Sequence, residues 1–310
     1  MKVSTIVVFL VCGLLATVGC STNTLGSRQV ICSQSPSRSY SSVDQVPSGE
    51  WIDLLFDQDQ PGKDCTGQSF EPTALPLRCA TAARPGVARD LRIRADELGM
   101  QTLADGFGLL WLPVEEFSNG DRTLLVALVH TSKRASSVLG IGTTRLPPEQ
   151  MRVELQTVRG EELLFAQGAE CGPGVDSGKC DRRLKLLLLH DGRFVPLELR
   201  DADNECQGEA AIDLARSQQV RLKSDWIRRF ELVSTYEITD EGLLVNEQLT
   251  ANDLPPDGND ANPRLFRNSD ARRLLEFTGA YFVYTRESLW AGMREVRGDL
   301  QPNRSHTRSD

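Results

Sequence analysis

Histidine is scarce in this chain: His130, His190 and His306 are the only three among 310 residues. No two of them stand at helical or short-loop spacing, which excludes the common zinc-binding patterns. There is also no glycine-serine-glycine elbow to expose a nucleophile. A hydrolytic site would have to be assembled from distant loops. Aromatic residues make up only 6% of the chain. The four tryptophans, Trp51, Trp111, Trp226 and Trp290, are widely spaced, as expected of separate core anchors; they would stack on sugars only if the fold grouped them on one exposed face. Positive charge is in deficit as well. With 35 Lys and Arg against 43 Asp and Glu, the net charge is −8, which disfavours a general nucleic-acid binder, since such affinity rests on neutralising phosphates. Arg89, Arg92 and Arg94 alternate with other residues and read as the wet face of a strand.

Long apolar runs are absent too, except at the very start. Met1 and Lys2 precede an apolar run from Ile6 to Ala16, and small residues follow at Thr17 and Gly19. This is the three-part layout of a secretory signal peptide. It falls slightly short of the roughly 20 residues that a membrane-spanning helix needs. The Gly19-Cys20 pair then resembles the lipobox of bacterial lipoproteins, with Thr17 standing where that family usually carries leucine. The resemblance implies cleavage after Gly19, acylation of Cys20 and a membrane as partner; ordinary signal-peptide cleavage is the alternative. Ser21 implies, by the same family's sorting rule, transport to the outer membrane. Residues 1–19 are thus read as signal peptide.

Of the eight cysteines, Cys12 would leave with the signal and Cys20 would carry lipid. That leaves Cys32, Cys65, Cys79, Cys171, Cys180 and Cys206, an even set suited to disulfides in an oxidising compartment. Proximity along the chain favours the pairs 65 with 79, 171 with 180 and, by remainder, 32 with 206. Residues 20–49 are rich in serine and poor in apolar residues, and read as a flexible tether. Fully extended, that tether would reach on the order of 100 Å. The folded body is expected over 50–298 and a disordered tail over 299–310.

Within the body, "RRLKLLLLHDGRFVPLELRD" places two apolar runs around Asp191-Gly192, the signature of a tight hairpin. A second hairpin is predicted where Phe230, Leu232, Tyr236 and Ile238 alternate with polar residues, and Leu243, Val245 and Leu249 follow a turn at Asp240 to Gly242. Further strands are expected at 91–95, 123–130, 137–143, 152–158 and 162–166, with a final pair around Thr278 and Gly279. Glu209 to Ser217 is the one short helix expected. The whole reads as mainly β, with antiparallel strands and hairpins in a sandwich-like or irregular propeller-like arrangement.

Three acidic clusters, "FDQDQ", "RDADNE" and "DGNDAN", are solvated turns rather than calcium loops, because proline or cysteine falls where a ligand or the turn glycine belongs, or the spacing is loose. "PGVDSGKC" imitates a phosphate-binding loop but lacks its first glycine and its final serine or threonine. No metal or cofactor is called for. The expected function is a non-enzymatic envelope lipoprotein that binds an envelope protein or a glycan, with an exported hydrolase as the alternative.

Overall fold

The computed structural model describes residues 28–56, 63–69, 88–118, 120–171, 180–222, 224–256 and 263–293. Expectations for Cys20, Cys79, His306, the loop 172–179, the cluster 257–262 and the tail lie outside these residues. The chain is mainly β; among the described residues there is one short α-helix, and the strands belong to one large, mostly antiparallel sheet. That sheet folds over itself into layers.

The first layer is β4 (Phe107–Phe117), β5 (Arg122–Thr131) and β6 (Ser136–Leu146), paired antiparallel in chain order. β2 (Ala88–Asp90) and β3 (Gly99–Thr102) extend it beyond β4. Successive side chains on a strand point to opposite faces, and here both faces are buried. Leu110, Leu112, Leu125 and Ala127 enter one core, while Leu109, Leu124, Val126 and Leu128 enter another. A strand covered on both sides reads as a continuous apolar run. That is why "TLLVALVH" does not alternate.

The middle layer is β7 (Glu149–Val158), β8 (Glu161–Glu170) and β9 (Asp181–His190). Leu164, Ala166 and Leu187 face the first layer, and Leu163, Phe165, Leu184 and Leu186 face the opposite way. β9 turns through Asp191 and Gly192, at φ 46° and 74°, into β10 (Arg193–Pro196). These positive angles are those of the predicted two-residue turn. β10 also runs parallel to β6 and so joins the two layers.

The third layer contains β13 (Ala211–Arg221), β14 (Ile227–Thr239), β15 (Gly242–Leu254), β16 (Arg264–Phe277) and β17 (Tyr281–Tyr284). β13 is hydrogen-bonded to β9, and each later strand pairs with its predecessor. β17 then pairs with β11 (Glu198–Arg200), β11 with β12 (Cys206–Glu209), and β12 leads directly into β13. The pairings therefore form a closed, barrel-like circuit. Leu243, Val245, Leu275 and Phe277 pack from it against the middle layer.

The short helix expected at Glu209 to Ser217 is instead the end of β12 and much of β13. Ala210, Ile212 and Leu214 are 1%, 0% and 6% exposed, a period of two that pairing with β9 and β14 enforces over alanine's helix preference. The helix of this fold is α1, Ser48–Leu55. It begins after Pro47, and its buried Trp51, Leu54 and Leu55 form one apolar face. The stretch 91–95 is a second correction. Leu91 still donates to Val114, but the chain then leaves the sheet for a 3-10 turn at Ala95–Glu97.

The serine-rich segment from residue 28 onward is part of the body and not a free tether. β1 (Cys32–Gln34) pairs with β6. Tyr40, Val43 and Val46 are each at most 3% exposed, and with α1 they cover the outer face of the first layer. Few apolar residues suffice because each lands on a sheet that is already apolar. The polar ones hydrogen-bond: Ser37 and Tyr40 both donate to Glu50, holding its carboxyl below the usual range. The indole of Trp51 donates to the carbonyl of Val43 at 3.3 Å.

Candidate functional site

Two of the expected disulfide pairs are overturned and one stands. Cys171 pairs with Cys180 across Cα atoms 4.4 Å apart. Cys32, however, pairs with Cys65, at a Cα separation of 6.3 Å, and this excludes both 65 with 79 and 32 with 206. Proximity in sequence was the wrong guide because α1 brings the two together: Cys65 donates its amide to Leu55 at the end of the helix, next to which β1 docks. Asp64 beside it is 3% exposed and accepts from Arg193 on β10 at 2.7 Å. Cys206 is also disulfide-bonded. The carboxylate of Glu149 lies within 4.8 Å of the sulfurs of Cys171 and Cys180, but those sulfurs are committed to their disulfide.

His130 lies against the ring of Phe107, with centroids 4.6 Å apart, and His190 reaches its neighbour Asp191. Trp51, Trp111 and Trp290 belong to three different apolar clusters, so these three do not form a row for a glycan. In "RDADNE", Asp201 accepts from the amides of Asp203 and Glu205 and from Gln207. That turn is built by its own backbone.

Two surface features gather polar or unpaired groups. The first is a charged cleft of about 270 Å³ where β8 ends, β9 begins and β13 bulges. Arg145, Arg182, Arg183, Lys185 and Arg216 line it with Asp121, Glu170, Asp181 and Asp213. Most of this charge is satisfied internally. Asp213 accepts from Arg183 at 3.1 Å and from Arg216 at 2.9 Å, Arg145 pairs with Asp121, and Lys185 pairs with Glu209. Asp181 accepts from the amide of Ser217, yet burial pushes its carboxyl above the usual range. Among the described residues, its lining includes no serine, cysteine or histidine. Its ion pairs tie β9 to β12 and β13.

The second feature is the outer edge of β16. β17 pairs with it only at Leu275 to Phe277, so from Arg264 to Leu274 its far side carries no partner strand among the described residues. The amide of Phe277 points to β15, donating to Glu241, and that of Thr278 points to β17, donating to Tyr281. By the alternation of an antiparallel strand, the amides of Asn268, Asp270, Arg272 and Leu274 point outward. Beside them, Leu265 and Phe266 are 62% and 51% exposed. Arg264, Arg267 and Arg272 are exposed on the same strand, and the guanidinium of Arg228 sits over the ring of Phe266 at 3.3 Å.

Sequence reasoning found the end of this strand and missed its edge. Whether a strand side is paired depends on where other strands stop, which no local pattern encodes. Compared with known proteins, the chain matches no family model, and no curated protein or solved structure matches it.

Proposed function

We propose that this chain is a non-enzymatic envelope lipoprotein: cleaved before Cys20, acylated there, and acting as a membrane-held binding module. The observation that carries the reading is the disulfide-closed body whose first strand is stapled a short way after the lipobox-like cysteine. Cys32–Cys65 and Cys171–Cys180 suit an oxidising, exported location. Several acyl chains give stable membrane residence where one gives only marginal binding.

The packing of residues 28–49 changes what that anchor would do. Arg28, ion-paired with Glu162, stands eight residues after Cys20, a contour of at most about 29 Å. The lipid would therefore hold the β1 end of the body close to the bilayer instead of letting it search a wide volume. The side chain of Arg28 is 11% exposed in this pair.

The test is the mass of the N-terminal peptide, with non-reducing peptide mapping, on protein extracted from its native membrane. A diacylglyceryl or triacyl group on Cys20 is expected. An unmodified N-terminus would overturn the anchor, and hydrolytic activity abolished by one serine substitution would overturn the non-enzymatic reading.

A further inference from the structure

We propose that the open edge of β16, from Asn268 to Leu274, receives an extended acidic segment of a partner protein by strand addition. This deepens the binding-module reading and rests on it. An edge strand presents a row of free amides and carbonyls, ready to pair with another chain. In strand addition the main-chain bonds supply affinity, and recesses for alternate side chains supply specificity. This edge has both.

One recess, of about 580 Å³, lies on the face lined by Val233, Thr235, Gln248, Asp270 and Arg272. The other, of about 260 Å³, lies on the opposite side, among Arg267, Arg286, Leu289 and Met293. An added strand would send successive side chains alternately toward the two. Val233, 50% exposed in the first recess, and Leu265 and Phe266 at the end of the strand, offer apolar contact that solvent now covers.

Charge selects the partner. In a chain of net charge −8, β16 from Arg264 to Leu274 exposes Arg264, Arg267 and Arg272 against the one exposed acid Asp270, while Arg286 and Glu287 both line the second recess. Self-pairing of two copies, antiparallel and centred on Asn268, would set Arg264 opposite Arg272 twice over. Like charges directly opposite are destabilising in a sheet. Arg272 lines the first recess with Val233, and Arg267 and Arg286 line the second with Leu289 and Met293, so a segment of acidic and apolar residues meets an arginine and an apolar contact whichever face its acids take. Charge alone can serve to keep an edge unpaired; that role explains neither the exposed Leu265 and Phe266 nor the two flanking recesses.

The test uses the full chain purified in detergent and a blocked, dye-labelled decapeptide that alternates glutamate and valine. A lysine-valine decapeptide is the control. Binding is followed by fluorescence anisotropy, and amide exchange locates the site. The acidic probe is expected to bind at least tenfold more tightly than the basic one and to slow exchange at Asn268, Asp270 and Arg272. Asn268→Pro removes one outward amide without touching the pairing to β15 and should weaken binding at least tenfold. Arg267→Glu with Arg272→Glu should reverse the preference between the probes, which keeps the proposal testable if the proline variant fails to fold. No binding of the acidic probe would overturn the proposal. So would loss on charge reversal with Asn268→Pro unaffected, which would mean simple attraction of polyanions, or dimerisation of the chain through β16. The mass of the N-terminal peptide is independent of all these outcomes, so failure of the anchor and failure of the edge are told apart.

Discussion

Replacing Arg273 by methionine should cost more stability than replacing Arg273 and Glu247 together. Their side chains are 6% and 1% exposed, and Nε of Arg273 donates to Oε1 of Glu247 at 2.8 Å. The other oxygen, Oε2, accepts from the amide of Leu289 at 2.7 Å, so this carboxylate ties the segment after β17 to β15. Arg273→Met strands a buried carboxylate, and Glu247→Leu strands a buried guanidinium together with the Leu289 amide. Breaking a buried pair in this way costs about 3–5 kcal/mol. The double variant buries no charge. It leaves one orphaned amide, at about 1–3 kcal/mol. Urea unfolding of the four proteins decides the matter. The double variant should unfold at a higher midpoint than either single one, with the slope unchanged across the set. Exchange of the Leu289 amide should quicken in Glu247→Leu and much less in Arg273→Met. If the two single losses simply add in the double variant, the pair is not behaving as a desolvated unit and the reasoning fails.

Trp51→Ala should destabilise the protein by about 3–5 kcal/mol, as for a buried aromatic residue; a change near zero in thermal or urea unfolding would mean that residues 28–55 do not cover the sheet. Removing Cys32–Cys65, with a separation of 33 residues, should cost about 3.7 kcal/mol, and removing Cys171–Cys180, with a separation of 9, about 2.6 kcal/mol. Paired Cys→Ser variants measured by urea unfolding test that ordering, and the reverse ordering would refute it. Asp181→Asn should stabilise the fold at pH 7. The carboxyl of Asp181 is raised above its ordinary value of 3.8, so its charged form is penalised by folding once pH exceeds the folded value. Below the unfolded value both states are protonated and the benefit should vanish. Melting temperatures from pH 3 to pH 8 check this, and a benefit that persists at the acid end would contradict it.

The hairpins were legible because their rule is local. Asp191-Gly192 and the alternation on either side of Asp240 need no knowledge of the rest of the chain. β4 was missed for the opposite reason. "FGLLWLPVEEF" neither alternates nor avoids proline, since both of its faces are buried and Pro113 sits beside a bulge. Glu209 to Ser217 was misread because alanine's helix preference was weighed without the neighbouring strands that claim Ala210, Ile212 and Leu214. The serine-rich segment was misjudged by average composition, when a handful of apolar residues at Tyr40, Val43, Val46 and Trp51 decides its fate. For the disulfides, only the pair closed by one local loop was readable. Cys32 with Cys65 depends on where β1 and α1 land, and that is a property of the whole first layer.

The middle layer also governs the order in which this chain can fold. The centres of β8 and β9 are covered on both faces: Leu163, Leu164, Leu186 and Leu187 are all 0% exposed and divided between two cores. During synthesis the first layer emerges before them and the third layer after. A half-made chain would therefore present an apolar sheet until β14 to β17 arrive, and non-local pairing of this kind is slow and prone to aggregation. The Cys32–Cys65 bond needs only the first layer and its cover, all of which precede β7 in the chain. Once formed, it would hold the cover of the first layer in place while the rest is still being made.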